Sequence, residues 1–257
     1  MKKNQSTSSD GEEKPFRANT LMGQHFLRSP DVAGFIADAA DIKPTDTILE
    51  IGPGKGVLTE KLSTRAGHII AVEKDPRLVT HMRDNFSKTR LEVIEGDILK
   101  VDLAQILPAH YKLVANIPYY ITAKILRTFL EPPAGVSRPE TIVLMVQYEV
   151  AKRITAQPPD MNLLGLSVQV YGKPRIAKRV SRTYFKPQPA VDSAVIAITD
   201  ISDAFFRDRD IDPKHFFELV KKAFGSKRKK LSNTLGIASD KRPQHLTLEE
   251  WGEIAKG

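Results

Sequence analysis

The chain has 257 residues, 41% of them hydrophobic, a formal net charge of +8 and no cysteine. That length accommodates one full α/β domain with a smaller appendage. The lack of cysteine excludes disulfides, thiolate metal sites and a cysteine nucleophile, no apolar run reaches the roughly eighteen residues of a membrane span, and the charge suits a polyanionic partner.

Residues 1–16 are polar and rich in Ser, Lys, Glu and Gly, which predicts a disordered tail. Met1 to Lys14 lacks the apolar segment of a secretory signal, so a cytoplasmic protein is expected. Ser29-Pro30-Asp31 opens a helix with Val32, Phe35, Ile36 and Ala39 on one face. The β-branched run Thr47 to Ile51 predicts a strand, followed at once by Gly52-Pro53-Gly54-Lys55-Gly56 and by helical spacing over Val57 to Leu62. Further strands are predicted at His68 to Val72, Leu91 to Glu95 and Leu113 to Ala115, with a helix around Ile125 to Leu130. Thr141 to Val146 reads as a fully buried central strand and Gln147 to Ile154 as the helix after it. Pro158-Pro159-Asp160 marks a surface loop at the mouth of a cleft. Ile176 to Tyr184 and Val191 to Thr199 complete the strands, joined by a Pro-rich loop containing Phe185. The alternation then stops. Helical patterns remain at His215 to Phe224, Lys229 to Leu235 and Leu248 to Lys256, which places a boundary near residue 203.

Strand, glycine-rich turn, helix is the context of a loop that lets its backbone approach a ligand. The spacing is GxGxG rather than GxGxxG, which disfavours a dinucleotide while leaving NAD open. Glu73 ends the next strand, about twenty residues on, where an acid can accept from both ribose hydroxyls of a nucleoside. Asp97 follows the next strand and can accept from an adenine amine. Singly, each acid reads as a solvated strand end. At the ends of successive parallel strands, the glycines, Glu73, Asp97 and Asn116 converge on one crevice. Asn116-Ile117-Pro118-Tyr119 offers carbonyl acceptors and a flat ring to a planar base that carries an exocyclic amine.

Taken in order, Gly23 to Leu27, Leu49 to Gly54, Val72-Glu73, Gly96-Asp97, Asn116 to Tyr119 and Tyr184 to Ser193 resemble the ribosomal RNA adenine dimethyltransferases of the small subunit, the KsgA-like enzymes. The resemblance spans roughly residues 17 to 255. It implies a Rossmann-like class I methyltransferase sheet over residues 17–203 and a small all-helical RNA-recognition domain over 204–257. It implies S-adenosylmethionine as methyl donor, with His25 and Leu27 flanking it, Gly52 at its methionine part, Glu73 at the ribose, Asp97 at the adenine and Asn116 beside the methyl group and the target amine. Tyr119 and Phe185 would clamp the target base, although Phe185 alone also reads as a buried loop aromatic. His25 stands where many members carry Asn, and Tyr120 where Asn is frequent. The implied reaction is dimethylation of the N6 amines of two adjacent adenosines in a hairpin loop near the 3′ end of 16S rRNA, within the immature 30S subunit. A monomer is expected, and the histidines show no metal-ligand spacing.

Two basic clusters fit such a partner. Lys173, Arg175, Lys178, Arg179 and Arg182 precede Phe185, and Lys221, Lys222, Lys227, Arg228, Lys229 and Lys230 lie in a stretch without an acid. Mutual repulsion there favours phosphate binding, with Lys227, Arg228, Lys229 and Lys230 as the RNA-binding set. Three rivals remain: a large-subunit methyltransferase of the erythromycin-resistance type with the same fold, a noncatalytic nucleic-acid-binding factor built on this scaffold, and a DNA adenine methyltransferase, which the combined motifs exclude. The complete set of Gly52, Glu73, Asp97 and Asn116 argues for an active enzyme.

Overall fold

A computed structural model describes residues 24–256, so the predicted tail over residues 1–16 lies outside the described residues. The sheet grows from the apolar runs. Strands β2 (Thr47–Ile51), β3 (His68–Glu73), β4 (Leu91–Glu95), β5 (Lys112–Asn116), β6 (Thr141–Gln147), β7 (Lys173–Val180) and β9 (Ser193–Thr199) form one seven-stranded sheet in the order β4-β3-β2-β5-β6-β9-β7. The first five pair in parallel, and β9 runs antiparallel between β6 and β7. Ile142 to Val146 are wholly buried, as a central strand covered on both faces requires.

Helices α1 (Pro30–Ala39), α2 (Val57–Ser63), α3 (Pro76–Asn85), α4 (Leu103–Ile106), α5 (Thr122–Leu130), α6 (Tyr148–Ile154) and α7 (Leu163–Gln169) flank the sheet. The start of α1 follows the sequence closely: Ser29 Oγ accepts from the Val32 N–H, and Pro30 stands where no donor is needed. One apolar cluster gathers Ile36, Leu62, Val114, Val143, Met145 and Val195 on one face of the sheet. The other gathers Leu113, Phe129, Leu144 and Ile196 and continues without a break into Phe216, Leu231 and Trp251 of the C-terminal helices. Among the described residues no strand follows Thr199. The chain closes with α8 (Ala204–Arg207), α9 (Pro213–Phe224), α10 (Leu231–Leu235) and α11 (Leu248–Lys256). These helices dock on Tyr171 through Phe206 and Phe217, so the region after residue 203 shares the hydrophobic core of the sheet domain.

Several boundaries differ from the sequence expectation. Strand β7 begins earlier, at Lys173, because it is the sheet edge and tolerates Pro174 there. It also ends earlier: Arg182 to Tyr184 turn into a 3-10 helix, while Asp192 leaves the strand path to accept from the Arg182 N–H and the Arg179 side chain. Gln147, expected as the first residue of a helix, is instead the last residue of β6, paired with Ser193. Helix α7 was not foreseen; its cap is Asn162, whose side chain accepts from the Gly165 N–H. Phe185–Lys186, expected as loop, forms a short strand β8 antiparallel to β1 (Phe26–Leu27).

Candidate active site

The strand order reverses between β2 and β5, so the crevice at their carboxyl ends is the expected ligand position. The turn after β2 opens with Gly52 at φ +64°, a backbone that side-chain-bearing residues rarely adopt. A Cβ built on Gly52 meets nothing within 4 Å, so the backbone borders open space large enough for a ligand to approach. Gly56 is required for a different reason: with φ +82° it caps α2, and a Cβ would fall 2.5 Å from the Phe86 ring. Phe26 packs over this turn, and Lys55 extends its ammonium over the same ring at 5.5 Å.

Glu73 ends β3 and is only 6% exposed. One carboxylate oxygen accepts from the Lys74 and Asp75 N–H groups at 2.8 and 2.9 Å, and the other from Gly54 N–H at 3.2 Å. Burial raises its pKa, and the three N–H bonds oppose that rise without cancelling it. Glu73 therefore ties the glycine turn to the end of β3 and still has acceptor lone pairs for hydroxyls. Asp97, after β4, accepts from the Leu99 N–H and pairs with Lys74 at 3.1 Å. Burial alone would raise its pKa, but the Leu99 bond and the Lys74 ammonium outweigh burial and hold it below the usual range.

Asn116 ends β5. Its amide nitrogen donates to the His25 carbonyl at 3.5 Å, which leaves the amide oxygen, unbonded among the described residues, available as an acceptor. The Tyr119 hydroxyl bonds the buried Ser193 hydroxyl at 2.6 Å, and its ring stacks on His25 with centroids 5.9 Å apart and planes 22° apart. Burial raises the phenol pKa, against the Ser193 bond, so Tyr119 remains neutral with its ring held in place. His25 is anchored through Nδ1 to the Pro187 carbonyl at 2.8 Å.

These residues line three adjoining openings. His25, Leu27, Gly52, Glu73, Asn116 and Tyr119 surround one. Gly52, Glu73 and Pro118 are shared with a second that contains Asp97. His25 and Tyr119 are shared with a third, lined also by Tyr120 and Gln147. Asp97 and Gln147 thus mark the two ends of one continuous crevice, with Asn116 between them.

The sequence profile of the family described as ribosomal RNA adenine dimethylase matches residues 15–252. Over 256 aligned residues the chain is 44% identical to the ribosomal RNA small subunit methyltransferase A of Dehalococcoides mccartyi strain 195, covering 91% of this chain and 86% of that protein. The protein of the same name from Alkaliphilus metalliredigens is 35% identical, with coverage of 95% and 93%. The chain belongs to the ribosomal RNA adenine dimethylase family. Among solved structures, a dimethyladenosine transferase from Plasmodium falciparum superposes with a TM-score of 0.72 at 29% identity, covering 83% of this chain and 76% of that one. The 23S rRNA methyltransferase ErmE also gives 0.72, at 26% identity, with coverage of 90% and 100%. Family membership makes this chain an rRNA adenine dimethyltransferase that takes its methyl groups from S-adenosylmethionine.

For this dimethyltransferase, the structure gathers all the predicted cofactor-side residues around the crevice, and Tyr119 with them. It does not bring Phe185 there. Phe185 is 3% exposed, pairs with Leu27 across the β1–β8 ladder and packs in the core with Val180 and Met145. The buried-aromatic reading of Phe185 describes its place, and it lines none of the three openings. Sequence reasoning missed Glu50, whose carboxyl is 1% exposed beside the glycine turn. Its oxygen accepts from the Thr59 hydroxyl at 2.7 Å, and burial pushes its pKa up to about 8. An acid inside an otherwise apolar strand was the available signal. Gln147, Ser193 and the 65% exposed Tyr120 were also missed as site residues.

The basic clusters differ in character. Lys173 pairs with Asp200, Arg179 with Asp192, and Arg182 donates to the Ala190 carbonyl, so much of the first cluster is engaged within the fold. Lys227, Arg228, Lys229 and Lys230 are exposed in the turn between α9 and α10, where Lys230 pairs with Asp240 at 2.9 Å.

Proposed function

We propose that this enzyme dimethylates two adjacent loop adenosines near the 3′ end of 16S rRNA, on the immature 30S subunit in the cytoplasm. The observation that carries the reading is the placement of Asn116 and Tyr119 between a nucleoside-binding end at Glu73 and Asp97 and an opening of about 280 Å³ at Gln147 that suits one base. The names of the relatives support the small subunit.

The crevice fits S-adenosylmethionine: open space beside Gly52, a carboxylate for the ribose at Glu73 and an acceptor for the adenine amine at Asp97. When bound, the cofactor supplies a methyl group on a sulfonium, an electrophile that needs no acid catalyst. The residues of this chain align the amine. The Asn116 amide oxygen and a remaining lone pair of the Pro118 carbonyl, which already accepts from Ile121 N–H at 3.2 Å, take the amine hydrogens. The nitrogen lone pair, otherwise delocalised into the ring, then points along the crevice. Tyr119 supplies the stacking that the base loses on leaving its helix or loop. Alignment of this kind is worth roughly 7–11 kcal/mol. The exposed cations of Lys227, Arg228 and Lys229, beside a Lys230 that is paired with Asp240, grip backbone phosphates, which adds affinity without reading sequence.

Purified 30S and 50S particles that lack the modification, incubated with labelled S-adenosylmethionine, test the reading. Label in two adjacent 16S adenosines is expected, abolished by Asn116→Ala while cofactor binding persists. Label in 50S particles alone would overturn the substrate assignment.

A further inference from the structure

We propose that Gln147 donates a hydrogen bond to a ring nitrogen of the target adenine and so holds the base in register through both methyl transfers. The inference rests on the reading of this site as an adenine amine methyltransferase and adds the residue that reads the rest of the base.

The geometry comes from three neighbouring strands. Asn116 on β5 is in register with Met145 on β6, and Gln147 lies two residues beyond Met145. Side chains alternate along a strand, so Gln147 projects from the sheet face that carries Met145. Val114 and Met145 pack in the same apolar cluster, which puts Asn116, two residues after Val114, on that face as well. Gln147 is also directly opposite Ser193 on β9, and Ser193 is the residue that fixes the Tyr119 hydroxyl. Gln147 therefore sits one strand away from Asn116, against the residue that orients the stacking ring.

The opening at this point is lined by His25, Tyr119, Tyr120 and Gln147. His25 is anchored to Pro187, and Tyr119 to Ser193 and to the His25 ring. The half-buried Gln147 amide makes no hydrogen bond among the described residues. It brings one acceptor and two donors to the edge of a cavity whose walls are otherwise mostly aromatic.

Adenine presents its amine between two ring nitrogens, N1 and N7, and both are acceptors. In this site the amine hydrogens belong to Asn116 and the Pro118 carbonyl. The complementary contact left for Gln147 is N–H donation to a ring nitrogen. That contact has a property the amine contacts lack. The first transfer removes one amine hydrogen and the second removes the other, while the ring nitrogen is unchanged. As the amine loses its holding bonds, the Gln147 bond carries a growing share of the alignment.

The test uses small-subunit RNA carrying adenosine, 1-deazaadenosine or 7-deazaadenosine at the target positions, with wild-type, Gln147→Leu and Gln147→Glu enzymes. For the wild type, one of the two analogues should lower kcat/KM by roughly two- to tenfold, the loss of one neutral hydrogen bond. In Gln147→Leu the same analogue should be methylated as well as adenosine is. Gln147→Glu keeps the shape but cannot donate when ionised, so it should behave like Gln147→Leu. Both variants should raise the ratio of monomethyl to dimethyl product and leave cofactor affinity unchanged, outcomes that a packing defect would not produce together. Losses that multiply independently for both analogues would overturn the inference while the function stands. A wild-type enzyme that methylates no adenosine in the natural RNA would overturn the function, and this inference with it.

Discussion

Glu50 is a carboxyl buried beside the glycine turn, and the stability of the protein should record it. Its ordinary pKa near 4.5 rises to about 8 in the fold, chiefly because burial penalises the charged form; the Thr59 bond lowers it and Glu73 raises it further. Below pH 4.5 the group is neutral in both the folded and unfolded chain. Between pH 4.5 and about 8 the unfolded chain has released the proton and the folded chain keeps it, so folding stability falls as pH rises. The fall is about 1.4 kcal/mol per pH unit, or about 5 kcal/mol across the window. That is a large share of the roughly 5–15 kcal/mol that holds a native protein together. Glu50→Gln removes the ionisation and keeps the shape, and its amide oxygen can still accept from Thr59. Urea unfolding of both proteins from pH 5 to pH 9, without cofactor, measures the difference. The wild type should lose stability relative to the variant steadily up to pH 8 and no further above it. Stability curves that run parallel across this range would refute the argument, because every other titrating group is common to the two proteins.

Three other substitutions probe distinct parts of the structure. Phe185→Ala should cost about 3–5 kcal/mol of folding stability, the usual consequence of emptying a buried aromatic site, and Phe185→Leu should restore most of the activity; a stable Phe185→Ala protein with weakened base binding would return Phe185 to the clamp. Lys74→Ala releases Asp97 from its ammonium partner. An exposed pair is worth about 0.2–1 kcal/mol, so calorimetry should show cofactor binding tightened up to about fivefold, and weaker binding would mean that Lys74 itself contacts the ligand. Replacing Lys227, Arg228, Lys229 and Lys230 with Ala should flatten the salt dependence of RNA binding by about 2–3 in logarithmic slope, because Lys230 is already paired with Asp240 and the other three supply the contacts; an unchanged slope would remove them from the RNA interface.

The sheet was legible where burial on both faces enforces a simple signal. Thr47–Ile51, His68–Glu73 and Thr141–Gln147 are β-branched apolar runs because nothing else packs there. The cofactor side was legible for a related reason: Gly52, Glu73, Asp97 and Asn116 each lie at or just past the end of a strand, and parallel strands bring those ends to one edge of the sheet. Phe185 was ambiguous because a Pro-rich segment conceals pairing to a partner far away in the chain; its strand exists only because Phe26–Leu27 lies alongside it. Glu50 escaped notice because the alternation of β2 shows that it points inward but not that its neighbours leave the carboxyl without water. Gln147 was displaced by one position, from helix to strand, and that small change moves its side chain into the site.

The two ends of the crevice therefore differ in how the chain encodes them. The cofactor end is assembled from consecutive strand ends, so a reader of the sequence meets its residues one after another. The base end joins His25 to Pro187 across 162 positions and Tyr119 to Ser193 across 74. Those contacts depend on β9 being inserted antiparallel between β6 and β7, a crossing that no local pattern announces. Once β9 is in place, Ser193 holds Tyr119, Tyr119 aligns with His25, and Gln147 is left facing the opening with an amide that has no partner among the described residues. The proposed site for the methyl donor is written along the chain, whereas the proposed site for the base is written across the sheet.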